Sequence, residues 1–269
     1  MACSKIDIQI PVRTESSWDK FQLKIHNDIV KNGINRFRFN PTVIETMDPP
    51  LPFLHVLVSK LNKRDKSYLT ILSKNFVQVG GGYKGTIFWN CSDTRVQKIL
   101  TLIDLKFELD KVKSINEKHR RLEFIEFGGG FGQMAELVVS QLNPISYKII
   151  DLPVIANLAK FYLSHQNLGI DVEFTKQEQL NVESNNTYKV FISSWAISEC
   201  NLKTRNQIEM VMSQVDLLFL EIQDYFDEID NYGWLMEFIS RYPHFEYESS
   251  RSTRAYRSRL YVIKRKEQL

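Results

Sequence analysis

The sequence predicts an α/β fold: a doubly wound, mostly parallel sheet of seven strands with an antiparallel last strand, preceded by a helical N-terminal region. Three observations predict it. From Leu122 onward, short apolar runs alternate with segments of helical periodicity, the pattern of parallel strands joined by crossover helices. The first run ends in the glycine-dense stretch Glu126-Phe-Gly-Gly-Gly-Phe-Gly132, and nineteen residues later Asp151 ends the next run. The last two runs have no helix between them and so read as a hairpin, which supplies the antiparallel strand.

Residues 1–117 read as a mainly helical cap, and residues 118–269 as the sheet domain. Ser16 or Ser17 can cap a helix that places Trp18, Phe21, Ile25 and Ile29 on one face, with Gly33 as its stop. The prolines from Pro49 to Pro52 break the chain, and Leu54–Leu61 and Tyr68–Leu72 follow as short helices. Asp93 starts a longer helix with Val96, Ile99, Leu100, Ile103 and Phe107 at helical spacing. The charged stretch Asp110–Arg121 is the expected boundary. Beyond it, strands are predicted at Leu122–Phe127, Tyr147–Asp151, Asp171–Phe174, Lys189–Ser193, Asp216–Ile222, Phe245–Glu248 and Leu260–Lys264. The intervening helices are Gln133–Gln141, Ile155–Ser164, Lys203–Ser213 and Trp234–Ser240.

Composition narrows the class. Hydrophobic content of 43% and charged content of 25% are those of a globular chain able to bury a large core. A net charge of +3 does not call for nucleic acid as a partner. No apolar run is long enough for a membrane span, and Met1–Val12 carries no apolar segment with a cleavage site. Cys3, Cys91 and Cys200 are too scattered for a disulfide framework or a zinc site. A cytoplasmic protein without a membrane span is expected, and a homodimer is compatible with this chain.

The glycine turn speaks to the ligand. Gly128, Gly130 and Gly132 form G-x-G-x-G, and the third glycine of a dinucleotide fingerprint would fall on Gln133. Glu126 opens the turn with a negative charge. That charge would repel a pyrophosphate but suits the cationic methionine end of S-adenosylmethionine. Asp151 is then placed to accept from ribose hydroxyls, or else to cap the helix beginning near Pro153. A second glycine segment, Gly80 to Gly85, fits G-x-G-x-x-G after a strand predicted at Phe76–Val79. The β-like residues Thr86–Trp89 follow it, so it reads as a turn or cover loop without a phosphate-binding helix.

Glu126–Gly132, Ile150-Asp-Leu-Pro153 and the segment Phe191–Cys200 together resemble the S-adenosylmethionine-dependent sugar O-methyltransferases of glycan and polysaccharide modification. The resemblance spans roughly residues 120–265. It implies a Rossmann-like methyltransferase sheet and S-adenosyl-L-methionine as cofactor. Glu126 would orient the methionine moiety, Gly128, Gly130 and Gly132 would shape the turn, and Asp151 would take the ribose. Leu152 would flank the adenine and Gln177 would recognise it, while Ser193 and Ser194 would line the cofactor site after the fourth strand. Asp-Leu-Pro also resembles the plant-type small-molecule O-methyltransferases. Their histidine base does not carry over, because the corresponding segment here reads Trp195-Ala-Ile-Ser-Glu199.

Ligands of such sheets bind beyond the carboxyl ends of the parallel strands, which sorts the remaining candidates. His119, His165 and His244 fall on the opposite edge, and His26 and His55 reach the cleft only if the first region covers it. Glu199, just past the fourth strand, is the leading general base; the competing reading is a carboxylate near a helix N-terminus. Asp224, after the fifth strand, is the second catalytic candidate. A divalent metal there is compatible with the acidic run but not indicated by its spacing. Trp195, Arg251 and Arg254 are candidate acceptor-binding residues, the arginines at the hairpin tip being suited to a phosphate or an acidic sugar. The expected activity is methyl transfer to a hydroxyl of a sugar, nucleotide-activated or glycan-linked. The alternatives are a small-molecule O- or N-methyltransferase on an aromatic or peptide acceptor, and a non-catalytic binding protein.

Overall fold

The computed structural model describes residues 17–51, 54–74, 77–81, 91–113, 121–176, 182, 186–226, 228–251 and 258–266. Seven strands form one sheet: β1 (Leu122–Phe127), β2 (Ser146–Ile150), β3 (Val172–Thr175), β4 (Tyr188–Ser194), β5 (Leu217–Gln223), β6 (Phe245–Arg251) and β7 (Ser258–Arg265). Their order across the sheet is β3-β2-β1-β4-β5-β7-β6. The pairs from β3 to β5 are parallel, and β7 runs antiparallel to both β5 and β6. This is the Rossmann-like order of class I methyltransferases, and the order reverses between β1 and β4. That reversal point is where such sheets leave a crevice for ligand.

Alternation along the central strands divides the core in two. Phe124, Tyr147, Ile149, Val190, Ile192 and Phe219 face one cluster, and Ile125, Ile150, Phe191, Leu218 and Leu220 face the other. Strands buried on both faces explain the near-continuous apolar runs in the sequence. Helices α6 (Gln133–Leu142) and α7 (Pro153–Leu163) cover the first face, together with the helices that precede β1. Those are α1 (Ser17–Asn32), α2 (Pro41–Met47), α3 (Leu54–Ser59), α4 (Lys63–Leu72) and α5 (Asp93–Lys113). Helices α8 (Leu202–Met212) and α9 (Asn231–Arg241) cover the second.

The cap shares the first core with the sheet. Ile25, Phe37, Val43, Leu69 and Ile99 bury in the same cluster as Phe131, Leu137 and Tyr162. Buried Arg95 of α5 pairs with Glu136 of α6, which also accepts from the Tyr162 hydroxyl at 3.2 Å. Arg38 pairs with Asp48 at 2.7 Å and lies over the Phe131 ring.

Predicted and observed strands agree to within about three residues at each end, the usual uncertainty of element boundaries. Several short elements were not foreseen, α2 and the 3₁₀ turn Ala196–Glu199 among them. A 3₁₀ turn at Ile34–Phe39 leads into α2, whose first amides are capped by the Asn40 side chain at 2.7 and 3.2 Å. A two-residue antiparallel ribbon, Tyr225–Phe226 with Ile229–Asp230, follows β5. One expectation is corrected: residues 77–79 form no strand. Gly80 and Gly81 take φ of 85° and 105° there and press on the Phe37 and Phe39 rings, while residues 82–90 lie outside the described residues.

Candidate active site

The glycine turn lies where β1 and β4 diverge. Gly128 donates to the Ile150 carbonyl at 2.9 Å, tying the turn to the end of β2. Gly128, Gly130 and Gly132 have φ of 76°, 55° and 95°, which L-residues with side chains rarely adopt. A Cβ on Gly128 would also collide with the Ala196 Cβ, so the turn interlocks with the segment after β4. Gly130 is the open side of the turn; its nearest neighbour would be Met47 Cγ at 3.9 Å, from the cap.

Two acids flank the turn. Glu126 is buried and accepts from the Tyr147 hydroxyl at 2.9 Å. Burial pushes its carboxyl above the usual range, against the pull of Lys98 and the tyrosine bond. Asp151 is half-buried and accepts from Gly130 N–H at 2.9 Å through Oδ2 and from Leu152 N–H at 2.7 Å through Oδ1. Burial raises it to about 7, the two amide bonds opposing and Glu126 adding to the rise. Each oxygen keeps a further lone pair. Leu152 is itself the N-cap of α7, with Pro153 in its first turn.

The sequence-predicted residues after β4 play distinguishable parts. The Ser193 hydroxyl is fully buried, donates to Phe127 O at 3.1 Å and accepts from Ile197 N at 3.1 Å, which fastens β4 to the glycine turn. Ser194 is half-buried beside it. Trp195 has φ 68° and ψ −35°, a strained conformation for a bulky residue. Its N–H donates to Glu221 O at 2.7 Å, and its carbonyl accepts from Ser198 and Glu199 at 2.8 and 3.2 Å. Its indole N–H is buried with no partner among the described residues. Glu199 is half-buried at the end of the 3₁₀ turn Ala196–Glu199, two residues ahead of Asn201, whose side chain caps α8.

Asp224 follows β5 at the same edge and meets Arg259 Nε of β7 at 3.0 Å, an ion contact without the direction of a hydrogen bond. Arg251 ends β6 in register with Arg259; nothing is described of its side chain. Gln177 and Arg254 lie outside the described residues, as does His119. His165 bonds the Phe161 carbonyl at the end of α7, and His244 packs against Phe245. Among the described residues, no group of three or more His, Cys, Asp or Glu side chains could hold a metal ion.

Sequence reasoning missed Arg205. It is fully buried on α8, donates to Cys200 O at 2.9 Å and Ser198 O at 2.7 Å, and lies over the Trp234 ring. Its fork holds the loop carrying Glu199. The Cys200 thiol is pushed up to about 12 by burial, Arg205 opposing and both Glu199 and Asp151 adding to the rise. Glu199 and Asp151 are thus electrostatic neighbours of one thiol at one edge.

No family model and no curated protein matches the chain. Among solved structures it is similar to magnesium protoporphyrin IX methyltransferase from Synechocystis PCC 6803 with bound SAM, at 12% identity and TM-score 0.45, covering 81% of this chain and 100% of that one. It is similar to the methyltransferase domain of bacterial CtHen1-C at 9% identity and TM-score 0.45, covering 64% and 100%. A SAM-dependent methyltransferase from Leishmania major gives 11% identity and TM-score 0.43, covering 61% and 73%. The described helices include none long and apolar enough to cross a membrane.

Proposed function

We propose that the protein is an S-adenosylmethionine-dependent O-methyltransferase acting on a hydroxyl of a sugar. One observation carries the donor assignment: a left-handed glycine turn at the β1/β4 reversal, flanked by buried Glu126 and by Asp151. The residues fit that cofactor. Glu126 is a buried carboxylate with one hydroxyl donor and distant help from Lys98, so a cationic amino group would compensate its desolvation. Asp151 has lone pairs left for a ribose diol, and the open face of Gly130 admits close approach.

When bound, the cofactor supplies an electrophilic methyl on a sulfonium. The chain must hold the acceptor oxygen in line, exclude water and take the hydroxyl proton. Positioning contributes about 7–11 kcal/mol and a general base about 10²–10⁴-fold, so the edge geometry counts for more than the base. Glu199 is the assigned base, and Trp195, whose indole N–H has no partner among the described residues, is assigned to the acceptor. Asp224 supports the same edge through Arg259. The sugar assignment rests on the resemblance of the Phe191–Cys200 segment. Exposed Tyr225, on the ribbon beside this edge, favours a flat aromatic acceptor as the second reading.

The test is release of S-adenosylhomocysteine from S-adenosylmethionine with pooled nucleotide sugars, free sugars and phenolic acceptors, and mass spectrometry of the products. A methylated sugar supports the reading. A methylated phenol moves the acceptor class, and cofactor binding without any turnover favours a non-catalytic binding protein.

A further inference from the structure

Gln22 lies on α1, in the cap, 132 residues from its hydrogen-bond partner. Its side chain is 1% exposed. The amide oxygen faces Val154 N–H at 3.5 Å, in the first turn of α7 and three residues beyond Asp151. That separation is at the limit of a hydrogen bond, so Gln22 is a poor helix cap. The amide Nε2 has no acceptor among the described residues. Turning the amide over would set N–H₂ against the Val154 N–H, so the orientation follows from the donor it faces. A buried amide with a bare N–H₂ is costly, and Leu or Met would fill the same space without that cost.

The surroundings point to a ligand. Gln22 sits at the helix that begins with Leu152, whose N–H is held by Asp151, and Asp151 in turn holds Gly130. Met47 of the cap lies over Gly130, so cap residues wall this site on two sides. His26, one turn further along α1, also has a buried ring nitrogen without a partner among the described residues. Of the first amides of α7, Leu152 N–H is held by Asp151, Pro153 has none, and Val154 N–H meets only the distant Gln22 oxygen.

We propose that Gln22 is a cofactor-binding residue, its side-chain N–H₂ donating to the ribose–adenine end of the ligand held by Asp151. This rests on the cofactor reading above. The cap is then part of the cofactor site as well as a cover for the acceptor, and the ligand supplies the acceptor that Gln22 Nε2 lacks among the described residues.

The experiment is calorimetric titration of the full chain and of Gln22→Met and Gln22→Glu with S-adenosylhomocysteine and with 5′-methylthioadenosine, which keeps ribose and adenine but lacks the amino acid. Gln22→Met should weaken both ligands equally, by about 2- to 12-fold, the span of one neutral hydrogen bond. Gln22→Glu should weaken both further, because a carboxylate only accepts and would set its lone pairs against the ligand's acceptor atom. The thermal midpoint of unliganded Gln22→Met should hold or rise. Unchanged binding of both ligands by Gln22→Met overturns the proposal, as does a loss confined to S-adenosylhomocysteine. Wild-type protein that binds neither ligand removes the cofactor reading itself. If neither variant folds, the Gln22 side-chain amide resonances of the wild type decide: a shift on saturation with 5′-methylthioadenosine supports the contact, and unmoved resonances overturn it.

Discussion

Replacing Asp151 with Asn tests the cofactor site through its own titration. In the unliganded protein the Asp151 carboxyl titrates at about 7, so near neutrality half the molecules carry a proton there. A ribose diol donates to the ionised form, and each charge-assisted bond is worth roughly 1.5–3 kcal/mol. Binding therefore draws the proton off. The Kd for S-adenosylhomocysteine should be flat above about pH 8 and rise toward tenfold per pH unit below 7. Asn removes the charge and turns its N–H₂ toward one of two donors, Gly130 N–H or Leu152 N–H. A loss of about 2–4 kcal/mol follows, or roughly 30- to 1000-fold at pH 8, shrinking as the wild type weakens toward pH 5.5.

Folding stability carries the same signature with a definite sign. The folded carboxyl lies at about 7 against an ordinary 3.8. A raised acid stabilises the fold below the unfolded value, and that contribution is lost as pH rises through the folded one. Up to about 4 kcal/mol is withdrawn between pH 4 and 7, less because the residue is half-exposed. Asp151→Asn should flatten that part of the stability profile. A wild-type Kd independent of pH from 5.5 to 8.5, measured by calorimetry, would refute the reasoning, as would Asn binding like Asp at pH 8.

Gly128→Ala should cost about 2–5 kcal/mol in urea unfolding, from left-handed strain and overpacking on Ala196, and Ala196→Gly in the same chain should recover only the overpacking share. Glu199→Gln should lower kcat by about 10²–10⁴-fold with cofactor Kd unchanged; equal turnover would remove Glu199 as base. Arg205→Met should lose about 2–4 kcal/mol of stability, and Arg205→Lys should not restore it, since the two carbonyls are reached from separate nitrogens, Nε and Nη2, that a single ammonium centre does not reproduce. Trp195→Phe keeps an aromatic face, smaller than the indole, and removes the N–H, and should raise acceptor KM about tenfold without touching cofactor affinity.

What was legible in the sequence is what depends on neighbours along the chain. Strands β1, β4 and β5 lie buried on both faces, so they read as apolar runs with no competing pattern. The glycine turn was legible because left-handed backbone leaves few choices of residue. Helix α2 had a local signal that was passed over: Asn40 followed by Pro41 is a cap followed by a first-turn proline. The unread features depend on where distant segments meet. Asp224 pairs with Arg259 only because Ile222 lies opposite Arg259 in the β5–β7 register. Arg205 looks like an ordinary helix-surface charge until Ser198 and Cys200 turn their carbonyls toward it. Contacts across residue 117 are of the same kind. A charged stretch marks a boundary in composition, yet Arg95 buries its charge on Glu136 across it, and breaking such a pair costs about 3–5 kcal/mol. Residues 118–269 alone would lack the cap residues that meet Phe131 and Tyr162, Phe37 and Arg38 on the first and Arg95 on the second. The cap and the sheet share one buried core, and that shared core is what brings Gln22 of α1 to the first turn of α7.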